Sequence, residues 1–278
     1  MAAVEGAVLL VDASQGIQAQ TLSTLYMAME NNLTIIPVLN KIDLPAADVP
    51  RVTRELEQTI GVDPSEIIAI SAKTGENIEK VLDAVIDRIQ DPKTFKANNP
   101  QRYRNLNTSL SKADEGVISR ALIFDSVFDQ YKGVVAYVKV IDGAFHPEED
   151  VQLIHSHKTL APNEVGHFSP QYVKDKAIKE GQIGYIVTGQ KSVRDAKIGD
   201  TILKIDNEQL KTKIHKSENP NQHMRTYIIP GFKTVKPFVF AGVYPIETDL
   251  YDKLKSSFEK LTLNDSAVSR DYEQSLAM

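Results

Sequence analysis

The stretch Thr34-Ile35-Ile36-Pro37-Val38-Leu39-Asn40-Lys41-Ile42-Asp43 decides how the first third of this sequence folds. It opens with an apolar run, which is typical of a strand buried on both faces of a parallel sheet. Pro37 argues mildly against a strand, because proline lacks the N–H that a ladder uses. The run ends in Asn40, Lys41 and Asp43, so these residues fall in the loop at the strand's carboxyl end. Open α/β sheets bind their ligands at such ends.

Strand and helix patterns alternate on both sides of this stretch. Apolar runs at Ala7–Asp12, read as buried on both faces, and at Ile67–Ile70 predict two further strands. Helical spacing of apolar residues predicts helices over Ala19–Asn31, around Val52–Ile60, and from Ile78 to Ile89. The order βαβαβα implies a parallel sheet with right-handed crossovers. We expect the apolar stripe of the first helix to be core; its members are Leu22, Leu25, Tyr26 and Met29. The third helix has the strongest stripe, formed by Ile78, Val81, Leu82, Val85, Ile86 and Ile89.

The polar loop after the central strand has the chemistry of a guanine site. An aspartate at position 43 can accept hydrogen bonds from the N1–H and the exocyclic amine of guanine, and adenine offers no such pair. The Lys41 stem can lie over the purine face, and Asn40 can brace the loop. An ordinary loop with the same residues is the alternative, and four residues alone favour that alternative.

A second loop favours a guanine site over an ordinary loop. Ser71-Ala72-Lys73 follows the next apolar run, so it also lies at the carboxyl end of a strand. Two loops at adjacent strand ends form a slot for a purine, and the Ala72 N–H is a plausible donor to the guanine O6. We therefore predict a guanine site formed by Asn40, Lys41, Asp43, Ser71, Ala72 and Lys73.

The periodicity changes after this region. Short strand-like runs separated by turns predict a β-barrel; they are Ile118–Phe124, Val134–Val140, Val151–Ile154, Gln182–Thr188 and Thr201–Ile205. Phe238–Tyr244 predicts another strand and Thr248–Leu261 a helix. We expect a partial α/β domain at 1–92, a linker at 93–115, a barrel at 116–207, an insert or linker at 208–230, and the start of a third domain at 231–278.

Composition and charge exclude several classes of protein. The 278 residues carry a net charge of -5 and no cysteine, which excludes disulfides and thiolate chemistry and gives no global attraction to nucleic acid. No apolar run approaches the roughly 18–20 residues that a membrane span requires.

Longer motifs give the sequence a family resemblance. It resembles the translational GTPases, and within them the elongation factor 4 (LepA) family. Gly6–Gly16 with Ala19-Gln20-Thr21 is similar to the stretch after the second switch, and Asn40–Pro45 and Ser71–Gly75 are similar to the fourth and fifth GTPase motifs. Further stretches resemble this family more than elongation factor G: Arg120–Ser126, Tyr131–Val135, Val193–Thr201, Pro230–Lys233, Val243–Pro245 and Leu263–Ala267.

The resemblance implies a fold and a function. The fold class is multidomain α/β plus β: the C-terminal half of a P-loop-type GTPase domain with a parallel sheet, then a translation-factor β-barrel, then the start of an α+β domain III. The implied function is that of a ribosome-associated elongation factor that binds and hydrolyses GTP and remodels or back-translocates ribosomes. Its implied cofactors are GTP or GDP with Mg²⁺, and its partners are ribosomal RNA and proteins and tRNA, but not DNA. Its implied location is the cytoplasm, with peripheral association at the inner face of the cell membrane.

The sequence also departs from the family. It contains no G-x-x-x-x-G-K-[ST] loop for phosphates, neither switch segment and no catalytic histidine after a second switch. We therefore expect a truncated fragment with no catalytic residue, no GTP hydrolysis by itself and at best weak guanine-nucleotide binding. A non-catalytic ribosome-binding module is the alternative.

Other candidate residues carry weaker signals. His155 and His157 lie two apart on a predicted strand and could face a metal, although a solvated strand face is the preferred interpretation and no metal site is predicted. Asp12 at a strand end is either a neighbour of Mg²⁺ or, as preferred, a cap for the following loop. The lysines at Lys211–Lys216 either contact ribosomal RNA or, as preferred, belong to a solvated loop.

Overall fold

A computed structural model describes residues 1–103, 118–129, 131–189, 196–208, 212, 224–230, 241–264 and 268. The chain divides into two compact units, residues 1–98 and 99–278. Of the predictions above, the lysines of the Lys211–Lys216 segment and most of the Phe238–Tyr244 strand lie outside the described residues. The described residues Ala241–Tyr244 form no strand.

The first unit contains a three-stranded parallel sheet in the order β1-β2-β3, confirming the βαβαβα prediction. Its strands are β1 (Gly6–Asp12), β2 (Thr34–Asn40) and β3 (Ile68–Ala69). Its helices are α1 (Ala19–Glu30), α2 (Val49–Ile60), α3 (Ile78–Arg88) and α4 (Pro92–Asn98). Pro37 lies within β2 and is tolerated there.

Capping residues set the bounds of α2, which positions the loop after β2. The Asp48 carboxylate accepts the Arg51 N–H at 3.0 Å, so the helix begins next to the end of that loop. Gly61 ends the helix with φ 72°, a left-handed conformation that glycine adopts without a Cβ penalty.

The two faces of the sheet are covered unequally. Helices α1 and α2 cover one face, where Leu25, Val52 and Leu56 pack with Leu9 and Leu39. On the other face α3 packs over β2 and β3, and Ile89 at the end of α3 lies against Gly6 at the start of β1. The prediction that β1 is buried on both faces is therefore wrong: Val8 is 43% exposed and Leu10 is 54% exposed.

The predicted apolar stripes of α1 and α3 are only partly buried, because each helix is covered over only part of its apolar face. In α1 Leu25 is buried, but Tyr26 is 58% exposed and Met29 51%, because α1 packs against β1 at the sheet edge and only a narrow stripe is covered. In α3 the residues Leu82 and Ile86 are likewise exposed.

The predicted linker at 93–115 begins within a helix. Asp91 accepts the N–H groups of Lys93 and Thr94 at 3.0 and 3.1 Å and so caps α4, whose Phe95 is buried. Pro92 at the first helical position fits this arrangement. The other residues of α4 are mostly polar, so no apolar stripe predicted a helix here.

The second unit is an antiparallel barrel. Eight strands follow the order β10-β9-β12-β5-β4-β13-β7-β8, and a short pair β11-β6 accompanies them. Their bounds are β4 (Ile118–Asp129), β5 (Gly133–Asp142), β6 (Ala144–Phe145), β7 (Val151–Leu153), β8 (Lys158–Leu160), β9 (Glu164–Ser169), β10 (Gln171–Asp175), β11 (Ile178–Lys179), β12 (Ile183–Val187) and β13 (Thr201–Ile205). Leu160 of β8 and Val165 of β9, near opposite ends of the strand order, share one core, so the sheet curls around its interior.

Part of the predicted insert packs on the barrel. Met224 and Tyr227 are buried against Ile118, Ile154 and Leu203. The Ile229 N–H donates to the Thr201 hydroxyl at 3.0 Å. At the C-terminal side, α5 (Tyr251–Asn264) confirms the last predicted helix.

The outer barrel surface carries aromatic rings. Val134, Ala136 and Val138 of β5 point into the core, so the alternate residue Tyr137 lies on the outer face. There it contacts other rings at centroid distances of 4.9–6.4 Å. We call Phe124, Tyr137, Phe168, Tyr172 and Tyr185 the outer aromatic cluster.

Candidate nucleotide site

The loops after β2 and β3 lie side by side at the carboxyl edge of the parallel sheet. Since β2 and β3 are neighbours in register, both loops leave the sheet at the same edge. Two hydrogen bonds join them: the Ser71 hydroxyl donates to Asp43 Oδ1 at 2.7 Å, and the Ala72 N–H donates to Asn40 Oδ1 at 3.0 Å. Four of the six predicted guanine-site residues are thus in direct contact in pairs.

Asn40 connects both loops through one oxygen. Its Oδ1 accepts the Lys41 N–H at 2.8 Å as well as the Ala72 N–H. This is the bracing role that the sequence suggested for asparagine. The Ala72 N–H, predicted as a donor to guanine O6, has Asn40 as its partner, so a base carbonyl would share or replace that bond.

Asp43 projects from the loop as an exposed carboxylate that is anchored on one side. Its anchor, Ser71, is fully buried, and the Ser71 Oγ also accepts the Thr74 N–H at 3.2 Å. The turn after β3 is closed by the Ser71 N–H to the Glu76 carbonyl and the Gly75 N–H to the Ser71 carbonyl. A carboxylate held from below and open above can accept two donors from a planar base.

Lys41 and Lys73 supply positive charge at this edge. The Lys41 ammonium lies 2.7 Å from Asp12 Oδ2 at the end of β1, and its backbone has φ 68°. Lys73 lies exposed in the turn after β3. Both side chains thus place an ammonium group at the carboxyl edge of the sheet, and that of Lys41 is paired with Asp12.

Asp12 is the residue that sequence reasoning underestimated. Its Oδ1 accepts both the N–H and the hydroxyl of Ser14, at 2.8 and 2.6 Å, so it caps the following loop as preferred above. The Lys41 ammonium and the two Ser14 donors together hold the pKa of Asp12 well below its usual range. The only sequence signal was its position at a strand end, since its partner lies 29 residues away.

The loop after β1 is also tied to the loop after β2 and to helix α2. The Ala13 N–H donates to the Asn40 carbonyl at 2.9 Å, and the Asp48 N–H donates to the Ala13 carbonyl at 3.0 Å. Glu55 of α2 accepts the Ile17 N–H at 3.1 Å. All three loops at this edge of the sheet therefore form one hydrogen-bonded layer.

The two histidines do not lie on a strand face, which was the preferred interpretation of the sequence. They lie in the turn between β7 and β8, not on a strand, and His157 has φ 53°. The His155 N–H donates to the buried Asp200 carboxylate at 2.9 Å, which accounts for the turn. Within the described ranges, no group of three or more histidine, aspartate or glutamate residues is arranged to hold a metal ion.

No helix among the described residues is both long enough and apolar enough to cross a membrane.

Known proteins match both the sequence and the fold. The family model of the elongation factor Tu GTP binding domain matches residues 1–91. Elongation factor 4 of Arthrobacter sp. (strain FB24) is 42% identical over 278 residues, covering 100% of this chain and 39% of the relative. Elongation factor 4 of Desulfitobacterium hafniense is 42% identical over the same length, with 40% of the relative covered. The chain thus spans about two fifths of the length of the curated relatives it matches.

Solved structures give the same fold. Translation elongation factor SelB from Methanococcus maripaludis, in its apo form, matches with a TM-score of 0.54 at 17% identity, over 74% of this chain and 41% of that chain. The same factor in complex with the GTP analogue GppNHp matches with a TM-score of 0.52 at 18% identity, over 74% and 42%. The chain is therefore similar along its whole length to elongation factor 4, and it combines a parallel sheet, in the part that matches the elongation factor Tu GTP binding domain, with a β-barrel.

Proposed function

We propose that this chain carries the base-reading half of a guanine-nucleotide site, and that the protein is a ribosome-associated elongation factor that binds and hydrolyses GTP. The observation that carries the proposal is the pair of bonds between the two loops, Asn40 to Ala72 and Asp43 to Ser71. They hold a carboxylate and a backbone donor at one edge of the sheet. Those two groups complement the N1–H, the amine and the O6 of guanine.

In this proposal each predicted residue has a distinct role. Asp43 accepts the two guanine donors, the Ala72 N–H donates to O6, and the Lys41 stem lies along the base. Asn40, Ser71 and the turn containing Lys73 hold these groups in place. The chain itself contributes base recognition only, because the sequence lacks the loop that supplies phosphate and Mg²⁺ contacts.

We propose the activity and partners of the whole protein from its similarity to elongation factor 4. GTP with Mg²⁺ would order the switch segments of the whole protein, and hydrolysis on the ribosome would release them. Ribosomal RNA and proteins and tRNA are the proposed partners, with remodelling or back-translocation of ribosomes as the outcome. The proposed location is the cytoplasm, with peripheral contact to the inner face of the membrane.

Base selectivity tests the proposal. In titrations of this chain followed by NMR, GDP should bind weakly but more tightly than ADP, without sub-micromolar affinity, since phosphate and metal contacts are lacking. Asp43→Asn should weaken GDP binding and favour xanthosine diphosphate, because an amide donor matches the xanthine O2. Asp83→Asn, an exposed change of the same kind on α3, should leave the preference for GDP unchanged. Equal binding of GDP and ADP by the unaltered chain would refute base reading.

The outer aromatic cluster favours a second candidate, a barrel that contacts the ribosome without nucleotide. Phe168 is 36% exposed, and the Lys132 ammonium lies 5.2 and 5.5 Å from the ring centroids of Tyr172 and Tyr185. Tyr185 is fully buried, so Phe168 is the ring of this group that is open enough to stack on an unpaired base, with the Lys132 charge nearby. Co-sedimentation of the chain with ribosomes in the absence of nucleotide would support this candidate. Phe168→Ala should then reduce co-sedimentation, and Tyr26→Ala in the first unit should not.

A further inference from the structure

The end of β1 reaches the proposed base site through a single side chain. Asp12 is the last residue of β1 and lies in register with Asn40, the last residue of β2. Its carboxylate is therefore next to the loop that starts with Lys41. Nothing in the guanine-reading role described above depends on Asp12.

The two oxygens of Asp12 have separate partners. Oδ1 accepts two hydrogen bonds from Ser14, which fixes the rotation of the carboxylate. Oδ2 is thereby aimed at the Lys41 ammonium, 2.7 Å away. The Asp12 side chain is 18% exposed and that of Lys41 is 52% exposed. The less exposed Asp12 therefore restrains the more exposed Lys41 side chain.

Lys41 needs such a partner. A left-handed backbone costs a non-glycine residue roughly 1–2 kcal/mol, and a free lysine side chain populates many rotamers. Two contacts hold Lys41 here: its N–H donates to Asn40 Oδ1, and its ammonium pairs with Asp12. A side chain ordered before a ligand arrives loses less entropy on binding, and this saving appears as affinity.

We propose that Asp12 is a positioning residue for the base-reading loop, which holds the Lys41 ammonium so that the lysine stem is already extended where the purine face binds. The inference rests on the proposed guanine site. Because the ion pair is half-exposed, it contributes little to fold stability. Its effect on ligand affinity should therefore be larger than its effect on the free energy of unfolding.

A double-mutant cycle tests this inference with GDP and ADP as probes, in the full 278-residue chain. Asp12→Asn keeps an Oδ1 acceptor for Ser14 but removes the charge that holds Lys41, and Lys41→Met keeps an aliphatic stem without the ammonium. We expect Asp12→Asn to weaken GDP binding about three- to tenfold, because it removes one partly exposed ion pair and the ordering of Lys41 that the pair provides. Salt screens such a pair, so the loss of GDP affinity should be smaller at high salt. In the Lys41→Met background, Asp12→Asn should have no further effect.

The outcomes separate the inference from the function on which it rests. A loss of equal size with and without the lysine charge would mean that Asp12 only supports the loop, and would overturn the inference. Unchanged GDP binding by Asp12→Asn, in a chain that still prefers GDP to ADP, would overturn it while the proposed function stands. No GDP preference in the unaltered chain would overturn both.

A measurement on the unaltered chain covers the case in which Asp12→Asn does not fold. The Lys41 side-chain ammonium should give an observable ¹⁵N–¹H signal at neutral pH, because its pairing with Asp12 slows exchange with water. Lys73, exposed in the turn after β3, is the internal comparison. A Lys41 ammonium that exchanges as fast as that of Lys73 would contradict the inference.

Discussion

The guanidinium of Arg120 meets the carboxylate of Asp142 at 2.6 Å between β4 and β5, with the Arg120 side chain 2% exposed and that of Asp142 22%. A second nitrogen of Arg120 donates to the Tyr227 carbonyl at 3.3 Å. One buried cation therefore joins the sheet to the segment that packs beside it. Asp142 keeps some contact with water, but Arg120 does not.

This asymmetry predicts unequal effects of removing each partner. Asp142→Ala leaves a buried charge uncompensated and should destabilise the barrel by about 3–5 kcal/mol. Arg120→Met leaves a carboxylate that water still reaches, so we expect about 1–3 kcal/mol. Hydrogen exchange of the β4 and β5 amides measures the loss in this unit alone. A larger effect from Arg120→Met would contradict the burial argument.

Tyrosine ionisation should report on the outer aromatic cluster. Burial, followed by hydrogen bonds to Tyr172 and Glu164 respectively, raises the pKa of Tyr137 and of Tyr185 above the usual value near 10. The folded state thus favours neutral rings, and stability should be lost as the pH rises above about 10, where the unfolded tyrosines ionise. Tyr185→Phe keeps the ring but removes its ionisable hydroxyl, which donates to Glu164 at 2.6 Å. Ultraviolet titration should show one fewer late-ionising tyrosine, and alkaline unfolding should shift upward.

The buried Asp200 carboxylate predicts that stability also falls with rising pH at the acidic end of the range. Burial raises its pKa, despite N–H donors from His155 and Thr201, and its Oδ2 has no hydrogen-bond partner. A raised carboxyl pKa favours the protonated folded form, so this residue's contribution to stability falls as the pH rises from about 4 through the folded value. Asp200→Asn keeps the Oδ1 acceptor and should change stability at pH 7 by no more than about 1 kcal/mol.

The control for Asp200→Asn is Asp200→Ala, which removes the acceptor of two backbone N–H groups and should lower the free energy of unfolding by about 2–3 kcal/mol. Urea unfolding at a series of pH values measures both variants. If Asp200→Asn retained the pH dependence of the unaltered chain, Asp200 would not be its source.

The uncovered half of the sheet predicts self-association. Val8 and Leu10 of β1 lie on the α3 side of the sheet, where α3 packs mainly over the neighbouring strand β2, and both side chains are exposed. In addition, β1 is an edge strand. Exposed apolar residues on a strand edge favour pairing between copies. Replacing both residues with threonine, which keeps β propensity, should shift sedimentation towards the monomer. Val173→Thr, a control at a similarly exposed site on the barrel, should leave the distribution unchanged.

The order of elements in the first unit could be predicted because strand ends and helix stripes are local patterns. The nearness of Asn40 to Ala72 followed from the same patterns, since parallel neighbours end at one edge. The exposure of Val8 and Tyr26 could not be predicted, because it depends on which helix lies over which strand. A stripe of apolar residues gives the face that a helix would bury, but not how much of that face meets a partner.

Short strands and paired charges were missed for different reasons. In β8 two of three residues are exposed, so Lys158–Leu160 shows no apolar run. The contact of Asp12 with Lys41 depends on strand register across 29 residues, which no spacing rule contains. Asp91 followed by Pro92 did signal the start of α4, as a cap followed by proline, but the polar residues around it obscured the signal.

The loops after β2 and β3 are joined directly to each other by the Asn40 to Ala72 and Asp43 to Ser71 bonds, and these bonds do not involve the C-terminal end of α2. Gly61 at that end is exposed, and a Cβ placed on it would meet no atom within 4 Å. A reporter sequence inserted directly after Gly61 would therefore occupy open space and leave the Asn40 to Ala72 bond intact. The molecule thus offers a position for a fluorescent or affinity handle that follows ligand binding without altering the ligand's contacts.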